Sequence, residues 1–82
     1  MKLFVDVIGW IGSVEVILAY ALISSDKVDS KSTVYQVLNL TGAIFLIINT
    51  IYYGAYPSTA INIVWVVIAV VALWQIFFKR RK

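Results

Sequence analysis

The chain alternates long apolar stretches with short polar breaks. The first break, residues 24–32 (SSDKVDSKS), is polar and turn-like, and the second, residues 54–58, contains a glycine and the single proline. Each apolar stretch of 21 residues would cover about 31 Å as a helix, which matches a bilayer core. The pattern predicts one all-α domain over residues 1–82, an integral membrane bundle of three transmembrane helices. The predicted helices are residues 3–23, 33–53 and 58–78.

Composition supports a membrane protein and excludes most enzymes. The chain has 82 residues, of which 62% are hydrophobic and 13% charged, and a soluble domain of this size cannot bury so much apolar surface. It contains no Cys and no His, which removes disulfides, thiolate nucleophiles and the commonest metal ligand and general base. We therefore expect no enzyme activity, no cofactor and no metal.

The distribution of basic residues predicts an orientation. With three spans, residues 24–32 and the tail 79–82 lie on one side, and the N-terminus lies on the other with only Lys2. The positive-inside rule then places the N-terminus outside and the tail in the cytoplasm, in the inner (plasma) membrane. The net charge is +3, but four of the seven basic residues lie in this tail, so no nucleic-acid partner is expected. The six basic residues on the predicted cytoplasmic side are Lys27, Lys31, Lys79, Arg80, Arg81 and Lys82.

Glu15 is the most informative residue, because it lies near the middle of the first predicted helix. A carboxyl group at that depth is costly unless it faces a bundle interior or a cavity. It is a proton or cation site on one interpretation, and a neutral Glu hydrogen-bonded across a helix interface on the other. No Lys, Arg or His lies deep in any span. A neutral carboxyl, or one partnered by Asn, is therefore favoured over an ion pair.

The other two helices each carry a polar stripe. The spacing in the second helix places two Asn, one Gly and two Tyr on one face. In the third helix Asn62 and Trp65 share a face. Uncharged amides beside an aromatic ring suit a neutral polar solute, whereas the simpler interpretation is that the amides hold the helices together. The second-helix stripe is Tyr35, Asn39, Gly42, Leu46, Asn49 and Tyr53.

Two segments carry a resemblance to known families. Ile8-Gly9-Trp10-Ile11-Gly12 and Asn39-Leu40-Thr41-Gly42-Ala43 resemble an uncharacterised bacterial family of three-helix membrane proteins of about this length. More distantly, Tyr53-Gly54, and Pro57 five residues before Asn62, are similar to SemiSWEET and PQ-loop transporters. That resemblance implies a half-transporter that dimerises around a sugar pathway, with Asn62 at the substrate. The Pro-Gln hinge of those transporters is absent, and Glu15 has no counterpart in them.

These observations lead to three functional hypotheses. The first is a homodimeric carrier of a small polar solute, proton-coupled through Glu15, because one chain is too thin to enclose a path. The second is a small accessory subunit of a larger membrane complex. The third is a cation exporter similar in logic to the small multidrug resistance proteins, which have four helices. The candidate substrate-binding residues are Glu15, Asn39, Asn49, Tyr53, Asn62 and Trp65.

Overall fold

A computed structural model describes residues 1–79. It contains three helices: α1 (Lys2–Ser24), α2 (Thr33–Tyr52) and α3 (Tyr56–Lys79). Each helix is long and apolar enough to cross a membrane, which confirms the all-α prediction and indicates a multi-pass membrane protein. The tail predicted at residues 79–82 lies outside the described residues, except for the residue that ends α3.

Both connections begin with the same hydrogen-bonded helix end, the Schellman motif. After α1 the residue in the left-handed region is Asp26 (φ +62°), and after α2 it is Gly54 (φ +71°). In each motif the next backbone N–H reaches back to the carbonyl three residues before the C-cap, Lys27 to Leu22 and Ala55 to Thr50. These turns explain why α3 begins at Tyr56, with Pro57 in its first turn, where a missing N–H costs nothing.

The three helices are arranged with α2 in the middle. Helix α2 packs against both neighbours, and within residues 1–79 the backbones of α1 and α3 do not approach within 8 Å of each other. The bundle measures 45 × 23 × 19 Å. Large apolar side chains are exposed along α1 and α3, as expected for helices that face lipid. A single copy therefore encloses no path between its helices.

Glycines allow α1 and α2 to approach closely. A Cβ atom added to Gly12 would lie 2.7 Å from the carbonyl oxygen of Gly42, and one added to Gly42 would lie 3.0 Å from the carbonyl oxygen of Gly12. A Cβ on Gly9 would overlap the Asn49 side chain. Small residues drive helix association in lipid because they bring backbones into van der Waals contact. The face of α1 that carries Gly9 and Gly12 thus packs against α2 within the chain.

The contact between α2 and α3 rests on small and hydroxyl side chains. Ala43 and Ala69 are 0% and 1% exposed. At the other end of the contact the Thr59 hydroxyl lies 2.7 Å from the Thr50 hydroxyl. Thr59 is also within hydrogen-bonding distance of the Ala55 carbonyl, 3.1 Å away. This cluster fixes the start of α3 against the end of α2.

Candidate functional site

Glu15 lies in the interface between α1 and α2, where its partner is Thr41. Glu15 Oε2 is 2.5 Å from Thr41 Oγ1, a short distance of the kind seen when a carboxyl takes part. The sequence analysis offered an Asn partner as one of two alternatives to an ion pair, and the structure places Thr41 there instead. Both Asn residues of α2 point to edges of the helix that Glu15 does not reach, because each makes a hydrogen bond elsewhere.

The Glu15 carboxyl is only half satisfied. Its Oε1 atom is buried and has no hydrogen-bond partner within residues 1–79. Thr41 Oγ1 also lies 3.0 Å from the carbonyl oxygen of Val37. A hydroxyl has one hydrogen, so Thr41 donates either to Glu15 or to Val37. If Glu15 holds a proton, it donates to Thr41 and Thr41 donates to Val37, and both contacts are satisfied.

The two α2 amides connect neighbouring helices. Asn49 Nδ2 donates to the Val5 carbonyl of α1 at 3.0 Å. Asn39 accepts at Oδ1 from Trp65 Nε1 of α3 at 3.0 Å, and its Nδ2 donates to the Tyr35 carbonyl. The simpler interpretation of the Asn stripe, interhelical hydrogen bonding, accounts for these contacts. Asn39 is 5% exposed and has no surface to offer a solute.

The remaining predicted residues lie apart from one another. Asn62 is half-buried on α3 and makes no hydrogen bond within residues 1–79. Tyr53, just beyond α2, donates its hydroxyl to Asp6 Oδ1. Lys2 forms an ion pair with Asp6 Oδ2 at 3.3 Å. The hydrogen bond to the Asp6 carboxylate raises the pKa of Tyr53 above its usual value.

A small polar cavity lies on the edge of the α1–α2 contact opposite Glu15. Ser13 and Glu15 are two residues apart, so they point about 160° apart around α1. Around the circumference of α1, Gly12 lies between Ser13 and Glu15, and it faces α2 directly. Ser13 therefore lies on the edge where Asn49 meets α1, and Glu15 lies on the edge with Thr41. The cavity has a volume of about 140 Å³ and is lined by Asp6, Gly9, Trp10, Ser13 and Asn49.

Sequence reasoning missed three residues of this arrangement. Thr41 and Thr50 lie off the amide stripe, and helical threonines commonly bond their own backbone, so neither was expected to contact another helix. Asp6 lies near the start of α1, where an acidic residue suits the helix N-terminus whatever its other contacts. The signal that was available is the spacing: Asp6, Gly9 and Ser13 recur at three and four residues, which places them on one face.

Comparison with known proteins shows the family but no activity. A family model matches residues 5–81, nearly the whole chain. The chain belongs to that family, which is uncharacterised. No curated protein and no solved structure matches the chain. Membership of the family therefore carries no substrate or mechanism, and the residues themselves must supply the argument.

Proposed function

We propose that the chain is the protomer of a homodimeric membrane carrier for a small polar solute, coupled to protons through Glu15. The observation that carries this proposal is the Glu15 carboxyl, which lies between the apolar helices α1 and α2 with Oε1 buried and without a partner within residues 1–79. A half-satisfied buried carboxyl is costly, and in membrane helices such groups serve proton and ion pathways. A purely structural residue at this position would be better served by an apolar side chain.

The coupling would act through the contact between α1 and α2. Glu15 and Thr41 lie on one edge of that contact, and the polar cavity with Asn49 lies on the other. Gaining or losing a proton at Glu15 changes which partner receives the Thr41 hydrogen. Because Gly12 and Gly42 hold the helices in backbone contact, a small change on one edge is transmitted to the other as a shift of α1 on α2.

A second copy would supply the enclosure that a single copy lacks. Helices α1 and α3 flank α2 without meeting within residues 1–79, so the cavity is open to the surroundings. A partner related by a two-fold axis and placed over this face would close the cavity. The N-termini of the two copies would then lie on one side of the membrane and their C-termini on the other. The distant SemiSWEET resemblance and the proposed orientation, with the N-terminus outside the plasma membrane, agree with such a parallel dimer.

The test uses the full-length protein in liposomes that contain a pH-sensitive dye. Small polar solutes are added one at a time, from sugars to amino alcohols, and internal acidification is followed. Glu15→Gln should abolish the acidification, since the amide keeps a hydrogen bond to Thr41 but exchanges no proton. The matched control is Asp26→Asn, which removes an exposed carboxyl at a left-handed position that Asn tolerates. Equal acidification in wild type and Glu15→Gln would refute the coupling, and a monomer in native mass spectrometry would refute the carrier.

The accessory-subunit hypothesis is also supported by a specific observation. Asn39 and Asn49 are already engaged in contacts between helices, and only 6% of the apolar window of α3 is buried within the chain. A larger membrane partner could cover that surface. Affinity capture from native membranes that recovers a stoichiometric partner and no homodimer would favour this hypothesis over the carrier.

A further inference from the structure

We propose that the cavity between Asp6 and Asn49 binds a small primary ammonium ion. This inference concerns the ligand class of the cavity described above, so it rests on the proposed function only for its link to transport. It uses Asp6, Trp10 and Ser13, none of which the solute hypothesis included. Some hydrogen-bonding groups of the cavity are already engaged by the protein, and others are available to a ligand.

The donors that line the cavity are engaged by the protein itself. The Ser13 hydroxyl donates to the Gly9 carbonyl at 2.9 Å, and Asn49 Nδ2 donates to the Val5 carbonyl at 3.0 Å. The acceptors with room for a further bond are Ser13 Oγ, Asn49 Oδ1, which makes no hydrogen bond within residues 1–79, and the Asp6 carboxylate. The two Asp6 oxygens each have one partner, Tyr53 and Lys2, and each can accept another hydrogen bond. A cavity that offers acceptors and a negative charge selects a ligand with several N–H donors and a positive charge.

The structure contains an ammonium group at this carboxylate. Lys2 Nζ lies 3.3 Å from Asp6 Oδ2, with its side chain largely exposed. An exposed ion pair of this kind is weak, so an external ammonium can displace it. Lys2 is thus an intramolecular competitor for the same acceptor. This makes an unusual prediction, namely that removing a residue from the vicinity of the cavity strengthens binding.

Trp10 and the cavity volume limit the rest of the ligand. The indole of Trp10 borders the cavity and offers a ring face to a cation or to a short alkyl substituent. Ligands of the size of ethylammonium or ethanolammonium fit the volume of about 140 Å³. A sodium ion would satisfy the oxygen atoms but would make no use of the ring.

The test is isothermal titration of the full-length protein in phosphatidylcholine nanodiscs at pH 7, with empty nanodiscs as the blank. Ethylammonium should bind more tightly than tetramethylammonium, which has the charge but no N–H donors. Asp6→Asn should weaken binding roughly tenfold or more, because a charge-assisted hydrogen bond is lost. Lys2→Gln should tighten binding about two- to fivefold, the range of an exposed ion pair. Asp26→Asn should leave affinity unchanged.

Two further variants separate binding from folding. Ser13→Ala removes an acceptor whose own hydrogen bond is confined to α1, and Trp10→Leu removes a ring that is 74% exposed. Both should fold and both should weaken ethylammonium binding. Unchanged affinity in Asp6→Asn, no gain in Lys2→Gln, equal binding of tetramethylammonium, or displacement by equimolar sodium would each overturn the proposal.

The outcomes for the ligand class and for the carrier are distinguishable. Ethylammonium binding without solute-driven acidification in liposomes would leave the cavity assignment standing and refute the carrier. Acidification driven by a neutral solute, with no ethylammonium binding in nanodiscs, would do the reverse.

Discussion

The Thr41 hydroxyl lies 2.5 Å from Glu15 Oε2 and 3.0 Å from the carbonyl of Val37, so it stands between a carboxyl and a backbone acceptor. Its single hydrogen cannot serve both. The protonation of Glu15 and the rotamer of a neighbouring hydroxyl are therefore linked, in the middle of two helices that have no other charged group at that depth. This pair gives the carboxyl a structural role in the contact between α1 and α2.

Replacing Thr41 by Val should destabilise the fold through Glu15. The valine keeps the shape of the side chain but leaves the carboxyl without a partner on either oxygen. We expect the free energy of unfolding to fall by about 1–3 kcal/mol, the cost of an unsatisfied buried polar group. The measurement is unfolding of the protein in mixed micelles, followed by circular dichroism. Thr41→Ser retains the hydroxyl and should lose much less, so equal losses in the two variants would contradict the prediction.

Replacing Gly12 by Ala should separate α1 from α2. The new Cβ would lie 2.7 Å from a backbone oxygen, which cannot move aside as a side chain would. We expect a loss of about 1–3 kcal/mol, as for overpacking elsewhere, and a longer distance between spin labels on the two helices. Gly54→Ala is the matched control: nothing lies within 4 Å of its Cβ, but its φ is +71°. Backbone strain at this φ should lower its stability by about 1–2 kcal/mol, and the distance between the labels should stay unchanged.

Replacing Trp65 by Phe should weaken the contact between α2 and α3. The ring is kept, but the Nε1 donor to Asn39 is lost. Interhelical hydrogen bonds in membranes average about 0.6 kcal/mol with a maximum of about 1.7 kcal/mol, so we expect a loss in that range. Trp74→Phe preserves an aromatic contact with Phe78 and provides the comparison. If both variants unfold at the same denaturant concentration, the Trp65–Asn39 bond contributes nothing measurable.

The Tyr53–Asp6 bond should make stability depend on alkaline pH. The pKa of Tyr53 is raised in the folded protein because its hydroxyl donates to the Asp6 carboxylate. The folded state therefore holds this proton more strongly than the unfolded state, whose Tyr titrates near pH 10. The stabilisation is fully present below about pH 10 and is lost as the pH rises through the folded pKa. Unfolding measured from pH 8 to pH 11 should show a steeper decline in wild type than in Tyr53→Phe, which keeps the contribution of the Lys2–Asp6 ion pair.

The sequence predicted the helices because membrane thickness imposes the same requirement on every span. Apolar runs of about 20 residues, a polar connection and a Gly–Pro turn are local signals. It also predicted that Asn39 and Asn49 share a helical face, but in the structure Asn39 bonds Trp65 of α3 and Asn49 bonds Val5 of α1, so the two amides meet different neighbours. The helices follow from local signals, whereas the partner of each amide depends on how the helices are arranged against one another.

What the sequence did not predict depends on the register between helices. Thr41 pairs with Glu15, and Asp6 with Tyr53, only because α1 and α2 are antiparallel with Gly12 opposite Gly42. A shift of one residue in the register between α1 and α2 would place other side chains opposite Glu15 and Asp6. Asn62 was selected with the amide stripe, but the described structure gives it no partner. Its role remains a prediction of the SemiSWEET resemblance.

The central position of α2 determines how the two outer helices can influence one another. Within residues 1–79 the backbones of α1 and α3 do not approach within 8 Å of each other, so a movement of α1 reaches α3 through the backbone of α2. Two side-chain bonds connect α2 to α3, one at Asn39 and one at Thr50, and they lie 11 residues apart, or about 16 Å along the helix. Helix α2 is thus bonded to α3 at two separate points along its length. Both bonds reach the first half of α3, at Thr59 and Trp65, so a tilt of α2 would be transmitted to that half of the helix.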